Sequence, residues 1–194
     1  MRPCVAPPLR CRYVGSREAD DRQMVLQSDT AAPKPDKHFV DAAEPGSVML
    51  ISTPSSTRSA VWGGLMTARA QHLGVQGVVL DGRCRDLQEH RASHFPVFAR
   101  GHSVLGQSPF TRPSRLQVPL EIADPTAGGA FPAVTVHPGD ILVGDLDGVV
   151  SVPRDLVEQV VALAQQGRDV DGRCMEDLRA GAGIKETFAR HRGK

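Results

Sequence analysis

Aromatic residues are scarce in this chain, 4% of 194 residues with one Trp and one Tyr. A core must therefore come from Val, Leu, Ile and Ala, as is common where strands are covered on both faces. Excess charge of either sign is also missing. Twenty-three basic residues against twenty-two acidic ones leave a formal charge of +1, too weak a field to gather nucleic acid or an anionic membrane surface. No apolar run approaches the roughly 20 residues of a membrane helix, and even the stretch 75–80 is interrupted by Gln76. Cys4, Cys11, Cys84 and Cys174 are too few and too scattered for a metal finger or a disulfide scaffold, so free thiols in a reducing compartment are expected. The basic start, with Arg2, Arg10, Arg12 and Arg17 ahead of Glu18, lacks the Ser-rich amphipathic repeat of a transit peptide. A cytoplasmic protein with no nucleic-acid or membrane partner is the expectation.

A chain of this length suits one domain with arms. Pro3, Pro7, Pro8, Pro33 and Pro35 predict a largely irregular N-terminal arm over 1–38, with one short strand at 24–26. A domain over 39–168 follows. Its opening reads strand (47–52), helix (65–73, stopped by Gly74), strand (77–80), loop and charged helix (83–94), strand (95–100). Alternating segments at 116–122 and 133–136 predict antiparallel additions, and 141–144 with 149–152 predict a hairpin about Asp147-Gly148. An amphipathic helix over 154–166 carries Leu156, Val157, Val160, Val161 and Leu163 on one face. A helical tail over 169–194 closes an α/β chain with a mixed central sheet.

Two segments carry chemistry. Gly63-Gly64-Leu65-Met66 opens a helix, where unpaired amides and the positive dipole end favour anions; two glycines that merely let a helix pack on a sheet are the alternative. Twenty residues beyond Leu65 stands Arg85, followed by Asp86, just past the strand at 77–80. If the strands before Gly63 and Arg85 are parallel neighbours, a right-handed crossover brings both carboxyl ends to one edge, the usual ligand crevice of open α/β sheets. An amide pair, a guanidinium and a carboxylate would then suit a 2-oxo acid and a hard cation on Asp86. An Arg–Asp pair capping a helix explains the same residues. His90, four residues after Asp86, reads as a solvated helix position with a supporting role as the alternative. Asp140, Asp145 and Asp147 read as turn residues, and Glu176, Asp177 and Glu186 as a solvated helix face.

The stretches GGLMTARA (63–70), GVVLDGRCRDLQEH (77–90), FPVFARG (95–101) and HPGDILVGDLDGVVSVP (137–153) together resemble the 4-hydroxy-4-methyl-2-oxoglutarate aldolase and regulator of ribonuclease activity A family, over residues 39–191. The resemblance implies a layered, swivelling β/β/α fold, assembly as a homotrimer or homohexamer, and Mg²⁺ or Mn²⁺ as cofactor. It implies that Asp86 ligates the metal, that Arg85 and Asp86 are catalytic, and that Gly64, Leu65, Met66 and Arg85 bind substrate, with the amides of Leu65 and Met66 on its carboxylate. The implied activity is a lyase acting on oxaloacetate or 4-hydroxy-4-methyl-2-oxoglutarate through pyruvate enolate. A regulatory binding protein without chemistry, or a pathway enzyme using the same pocket on a larger substrate, are the alternatives. Two departures stand out. Only residues 1–10 are offered where relatives begin with a helix carrying an SDAL-like stretch. Gly64 stands where aldolase relatives carry an acid, so decarboxylation is expected to outpace aldol cleavage unless an acid from the tail or a neighbouring subunit substitutes.

Overall fold

The computed structural model describes residues 9–10, 23–123 and 132–193. Two compact units divide at Pro153, residues 1–153 and 154–194. In the first, β1 (Leu9–Arg10) and β2 (Met24–Leu26) precede β3 (Val48–Ser52), β4 (Ala60–Trp62), α1 (Gly64–His72), β5 (Gly77–Cys84), α2 (Leu87–Ala92) and β6 (Val97–His102). Five short strands follow: β7 (Thr111–Pro113), β8 (Leu120–Ile122), β9 (Val134–Val136), β10 (Ile141–Gly144) and β11 (Val149–Val152).

The long strand β5 organises the sheet. On one edge β3 pairs with its first half, Val48 opposite Gly77 through Ser52 opposite Asp81, and β4 takes over at Arg83 and Cys84. The other edge pairs with β6, and every one of these ladders is parallel. The strand runs past the expected stop at Asp81-Gly82 because β6 pairs with it again from Arg83 after a register shift and β4 begins its own pairing there.

Side-chain alternation along β3 and β5 builds two cores. Met49, Ile51, Val78 and Leu80 join Trp62, Phe95 and Ala70 of α1, whereas Val48, Leu50 and Val79 join Ile122, Val136, Leu142 and Val149. A sheet apolar on both faces needs cover on both. Here α1 supplies one layer and the antiparallel strands β8 to β11 the other, the β/β/α order that the family resemblance implies. The antiparallel pairing lies in ladders separate from the parallel sheet: β1–β10–β11, β2–β7 and β8–β9.

The second unit is a 3-10 turn (Arg154–Leu156) followed by α3 (Val157–Arg179) and α4 (Ile184–Arg192). α3 continues through Gly167 and Gly172, and so across the boundary expected at 168. The break comes instead at Gly181 (φ 96°). Asp177 accepts hydrogen bonds from Arg190 and His191, and the His191 bond, then the Arg190 charge, hold its carboxyl below the usual range. Among the described residues no helix is long and apolar enough to cross a membrane. Cys84 and Cys174 are free and buried; Cys4 and Cys11 lie outside the described residues.

One buried cation holds the segment 29–33 to β7. Arg112 on β7, 7% exposed, donates to the carbonyls of Asp29, Ala32, Pro33 and Pro113 at 2.5–3.1 Å. Replacing it leaves those carbonyls without their donor, so Arg112→Met is predicted to lower unfolding stability by about 2–4 kcal/mol. Urea unfolding measures this, and a loss under about 1 kcal/mol would show that the clasp is dispensable.

Candidate functional site

Parallel pairing delivers the carboxyl ends of β4 and β5 to one edge of the sheet. After β4, Gly63 in an extended conformation caps α1. After β5, Arg85 N–H donates to the Trp62 carbonyl (2.9 Å), and the chain then turns sharply into α2 through Asp86. Residues that cap a helix N-terminus normally adopt extended backbone and bond their own helix with their side chain. Asp86 does neither. It is left-handed (φ 60°, ψ 43°) with no side-chain cap bond to α2. Its Oδ2 instead accepts the Gly64 amide of α1 at 2.9 Å and lies 3.6 Å from Arg85 Nε. A left-handed non-glycine residue costs roughly 1 kcal/mol, and Asp tolerates it better than most. That cost aims the carboxylate at the neighbouring helix.

The two glycines make room for charged side chains. A Cβ on Gly63 would stand 2.6 Å from Asp86 Oδ2 and 3.0 Å from Arg85 Nε. A Cβ on Gly64 would land on Glu89 Oε2 and lie 2.6 Å from its carboxyl carbon. Close packing of α1 on the sheet, the alternative reading of this pair, is not what fills these positions.

The other candidate residues fall around the same turn. Among the described residues the Leu65 amide has no acceptor, while the Met66 amide donates to the Gly63 carbonyl at 3.0 Å. Leu65 therefore offers the unpaired amide of this helix start, and Met66 shares its donor with the local turn. Arg85 is half exposed, with Gly106 alongside its guanidinium.

Asp86 Oδ1 accepts no hydrogen bond among the described residues, and the side chain is 31% exposed. No group of three His, Cys, Asp or Glu converges among the described residues. A metal here would thus be held by one carboxylate oxygen with waters and substrate oxygens, the habit of Mg²⁺ rather than of a zinc cage. The donor set fits a hard divalent cation.

A buried polar chain underlies these groups. Trp62 Nε1 donates to Thr67 Oγ1 (2.9 Å), which lies 3.0 Å from His90 Nδ1. Indole is a donor only, so the hydroxyl accepts from Trp62 and shares one further hydrogen bond with His90 Nδ1. His90 is 5% exposed, which corrects its reading as a solvated position: α2 turns that face inward, toward Thr67 of α1. Burial, and then the Asp86 charge, push the Cys84 thiol up, which disfavours the nucleophilic thiolate.

Asp140 and Asp145 keep their turn roles, accepting the amides of His137 and Asp147 at 2.8 Å each. In the second unit Asp177 and Glu186 are held by Arg190. Sequence reasoning missed Thr67 and Glu89. An acid three residues after an Asp at a helix start has the spacing of a capping box, and that ordinary explanation hides Glu89.

Comparison with known proteins bears on the same segment. A family model described as RraA-like, Aldolase/RraA, matches residues 27–151. A protein of Halalkalibacterium halodurans named "Putative 4-hydroxy-4-methyl-2-oxoglutarate aldolase" is 34% identical over 124 residues, 64% of this chain and 54% of that protein. The chain thus spans about half the length of that curated relative. Among solved structures, an uncharacterized protein from Pseudomonas syringae pv. tomato superposes with a TM-score of 0.69 at 27% identity, over 85% of this chain and 82% of that one. Streptomyces coelicolor RraAS2, described as an unusual member of the RNase ES inhibitor RraA family, superposes with a TM-score of 0.65 over 81% of this chain and 74% of its own. At 24% identity that second likeness is one of fold. With the family match covering most of the parallel sheet, both glycines and the Arg85-Asp86 pair, this chain belongs to the RraA-like family.

Proposed function

We propose that the chain is a divalent-metal-dependent lyase that breaks a carbon–carbon bond in a small 2-oxo acid, oxaloacetate or 4-hydroxy-4-methyl-2-oxoglutarate, by way of pyruvate enolate. The observation that carries this reading is the convergence on one turn of an open helix amide, a guanidinium and a carboxylate with a free oxygen. The family and the aldolase name of the Halalkalibacterium relative support it.

In this reading the substrate's C1 carboxylate rests on the Leu65 amide, with Met66 beside it, at the positive end of α1. Arg85 hydrogen-bonds the C2 oxygen and opposes the negative charge that grows there as the C3–C4 bond breaks. Asp86 would hold Mg²⁺ or Mn²⁺, which when bound supplies Lewis-acid polarisation of the carbonyl worth several kcal/mol. The Gly64–Asp86 hydrogen bond fixes the spacing between the metal ligand and the carboxylate position. For oxaloacetate the leaving fragment is CO₂; for the aldol substrate it is a second pyruvate, and the C4 hydroxyl must surrender its proton.

A panel of 2-oxo acids, with and without chelator, tests the reading, and turnover that survives exhaustive chelation would sink it. Asp86→Ala is predicted to abolish turnover. Asp86→Asn is the cleaner variant, because Asn tolerates the left-handed backbone and can still accept the Gly64 amide. Its predicted loss in kcat is about 10³-fold, the equivalent of several kcal/mol. Near-normal rates in the folded Asn variant would remove Asp86 from the metal site.

Arg85→Lys is predicted to lower kcat by a larger factor than it raises KM, since an ammonium cannot reproduce the planar fork. A pure KM effect would confine Arg85 to binding.

Assembly as a trimer or hexamer is part of the proposal, supported by the apolar residues that α3 and its leading turn leave exposed: Leu156, Val160, Val161 and Leu163. Such patches are typical of association surfaces. Light scattering after gel filtration is expected to give a multiple of three chains, and a fully active monomer would contradict it.

A further inference from the structure

We infer that Glu89 is the second carboxylate of this site, admitted by Gly64, and that it takes the C4-hydroxyl proton in aldol cleavage; the assignment rests on the lyase reading above. Glu89 occupies the third helical position of α2 after Asp86. A glutamate there commonly reaches back to the backbone amide of the capping residue. No such bond forms. The carboxylate instead lies over the first residue of α1, in the volume that any side chain at position 64 would need. The same residue's amide is bound by Asp86 Oδ2, so the metal-ligand candidate and Glu89 flank one glycine from two sides. A substrate with C1 on the Leu65 amide and its C2 oxygen on Arg85 has its C3–C4 bond beside this turn, and Glu89 is the carboxylate that borders it.

The chemistry balances without a further reactant. The C4 O–H bond breaks and its proton passes to Glu89. The C4–O bond becomes a carbonyl as the C3–C4 pair moves onto C3, giving pyruvate enolate. Protonation of C3 completes the second pyruvate and returns Glu89 to its carboxylate form.

This placement removes the reason for expecting decarboxylation to dominate. That expectation followed from the missing acid at position 64, and the structure puts an acid from α2 into the same volume. It also bears on what restoring an acid at position 64 would do. Gly64→Asp alone adds no second base; its side chain displaces Glu89, whose flexible end must swing away.

The test uses the full chain with Mg²⁺ and compares kcat/KM for 4-hydroxy-4-methyl-2-oxoglutarate and oxaloacetate in wild type, Glu89→Gln, Glu89→Ala, and Gly64→Asp with and without Glu89→Ala. The ratio of aldol cleavage to decarboxylation is expected to fall roughly 10²-fold in Glu89→Gln, the low end of general-base effects. Gly64→Asp combined with Glu89→Ala is expected to recover at least about tenfold of that ratio over Glu89→Ala alone. Calorimetric binding of oxalate, a stand-in for the enolate's C1 and C2 oxygens, supplies a readout independent of turnover and should change less than about threefold in Glu89→Gln. A parallel collapse of oxalate affinity and both rates would make Glu89 merely structural and overturn the proposal. So would a Glu89→Gln ratio within about threefold of wild type, or a wild type that decarboxylates oxaloacetate but leaves the aldol substrate intact. A wild type with neither turnover nor metal-dependent oxalate binding overturns the lyase reading itself, and this assignment with it.

Discussion

Two hydrogen bonds tie the start of α1 to the end of β5, and every group at the candidate site takes its position from them. Arg85 N–H on the Trp62 carbonyl extends the β4–β5 ladder by one residue, and the Gly64 amide on Asp86 Oδ2 closes the gap between the helix and the next turn. Strand pairing alone would bring two chain ends to one edge. It would not orient a carboxylate. The second bond does so, because it satisfies one of the amides that a helix start otherwise leaves open, and it spends a charged acceptor to do it.

Local cost and local support are both visible around that bond. Asp86 is held left-handed, and Gly63 and Gly64 forgo side chains where three charged groups close in. The compensation lies one layer down. Trp62 is buried, its ring stacked on Phe95 at 6.2 Å, and its indole begins the chain through Thr67 to His90 that links α1 to α2. Hydrogen bonds in such a buried setting hold their geometry, because breaking one strands a polar group away from water. The site thus sits on helices whose first turns are fixed to each other beneath it, which is how a constellation is preorganised.

Much of this was legible in the sequence where local pattern and final environment agree. β3, α1 and the start of β5 follow from apolar runs, helical spacing and Gly74 as a stop. Arg85 and Asp86 stood out because parallel topology converts a twenty-residue separation into proximity. The illegible parts depend on contacts between segments. The end of β5 is set by neighbours that pair past Gly82. His90 is buried by a threonine twenty-three residues earlier, which no helical period reveals. α3 passes two glycines, each costing about 1 kcal/mol against alanine, and the ion pairs from Asp171 and Asp177 to α4 lie beyond them. Glu89 was hidden for the opposite reason: its spacing from Asp86 already had a sufficient local explanation.

Charge balance gives the proposed cation a physical basis that is independent of the relatives' names. The side chains that close on the Gly63–Gly64 turn are one guanidinium, Arg85, and two carboxylates, Asp86 and Glu89. By themselves they make the turn a poor host for a 2-oxo dicarboxylate, since the helix end contributes only about half a positive charge against two incoming negatives. A divalent ion on Asp86 would reverse the sign of the balance, and so would favour a dianionic substrate rather than repel it. The same arithmetic explains why Arg85 alone could not do the work. One cation shared between two resident carboxylates has little field left for an enolate. On the proposed reading, a second carboxylate that serves aldol cleavage would therefore also deepen the dependence on metal.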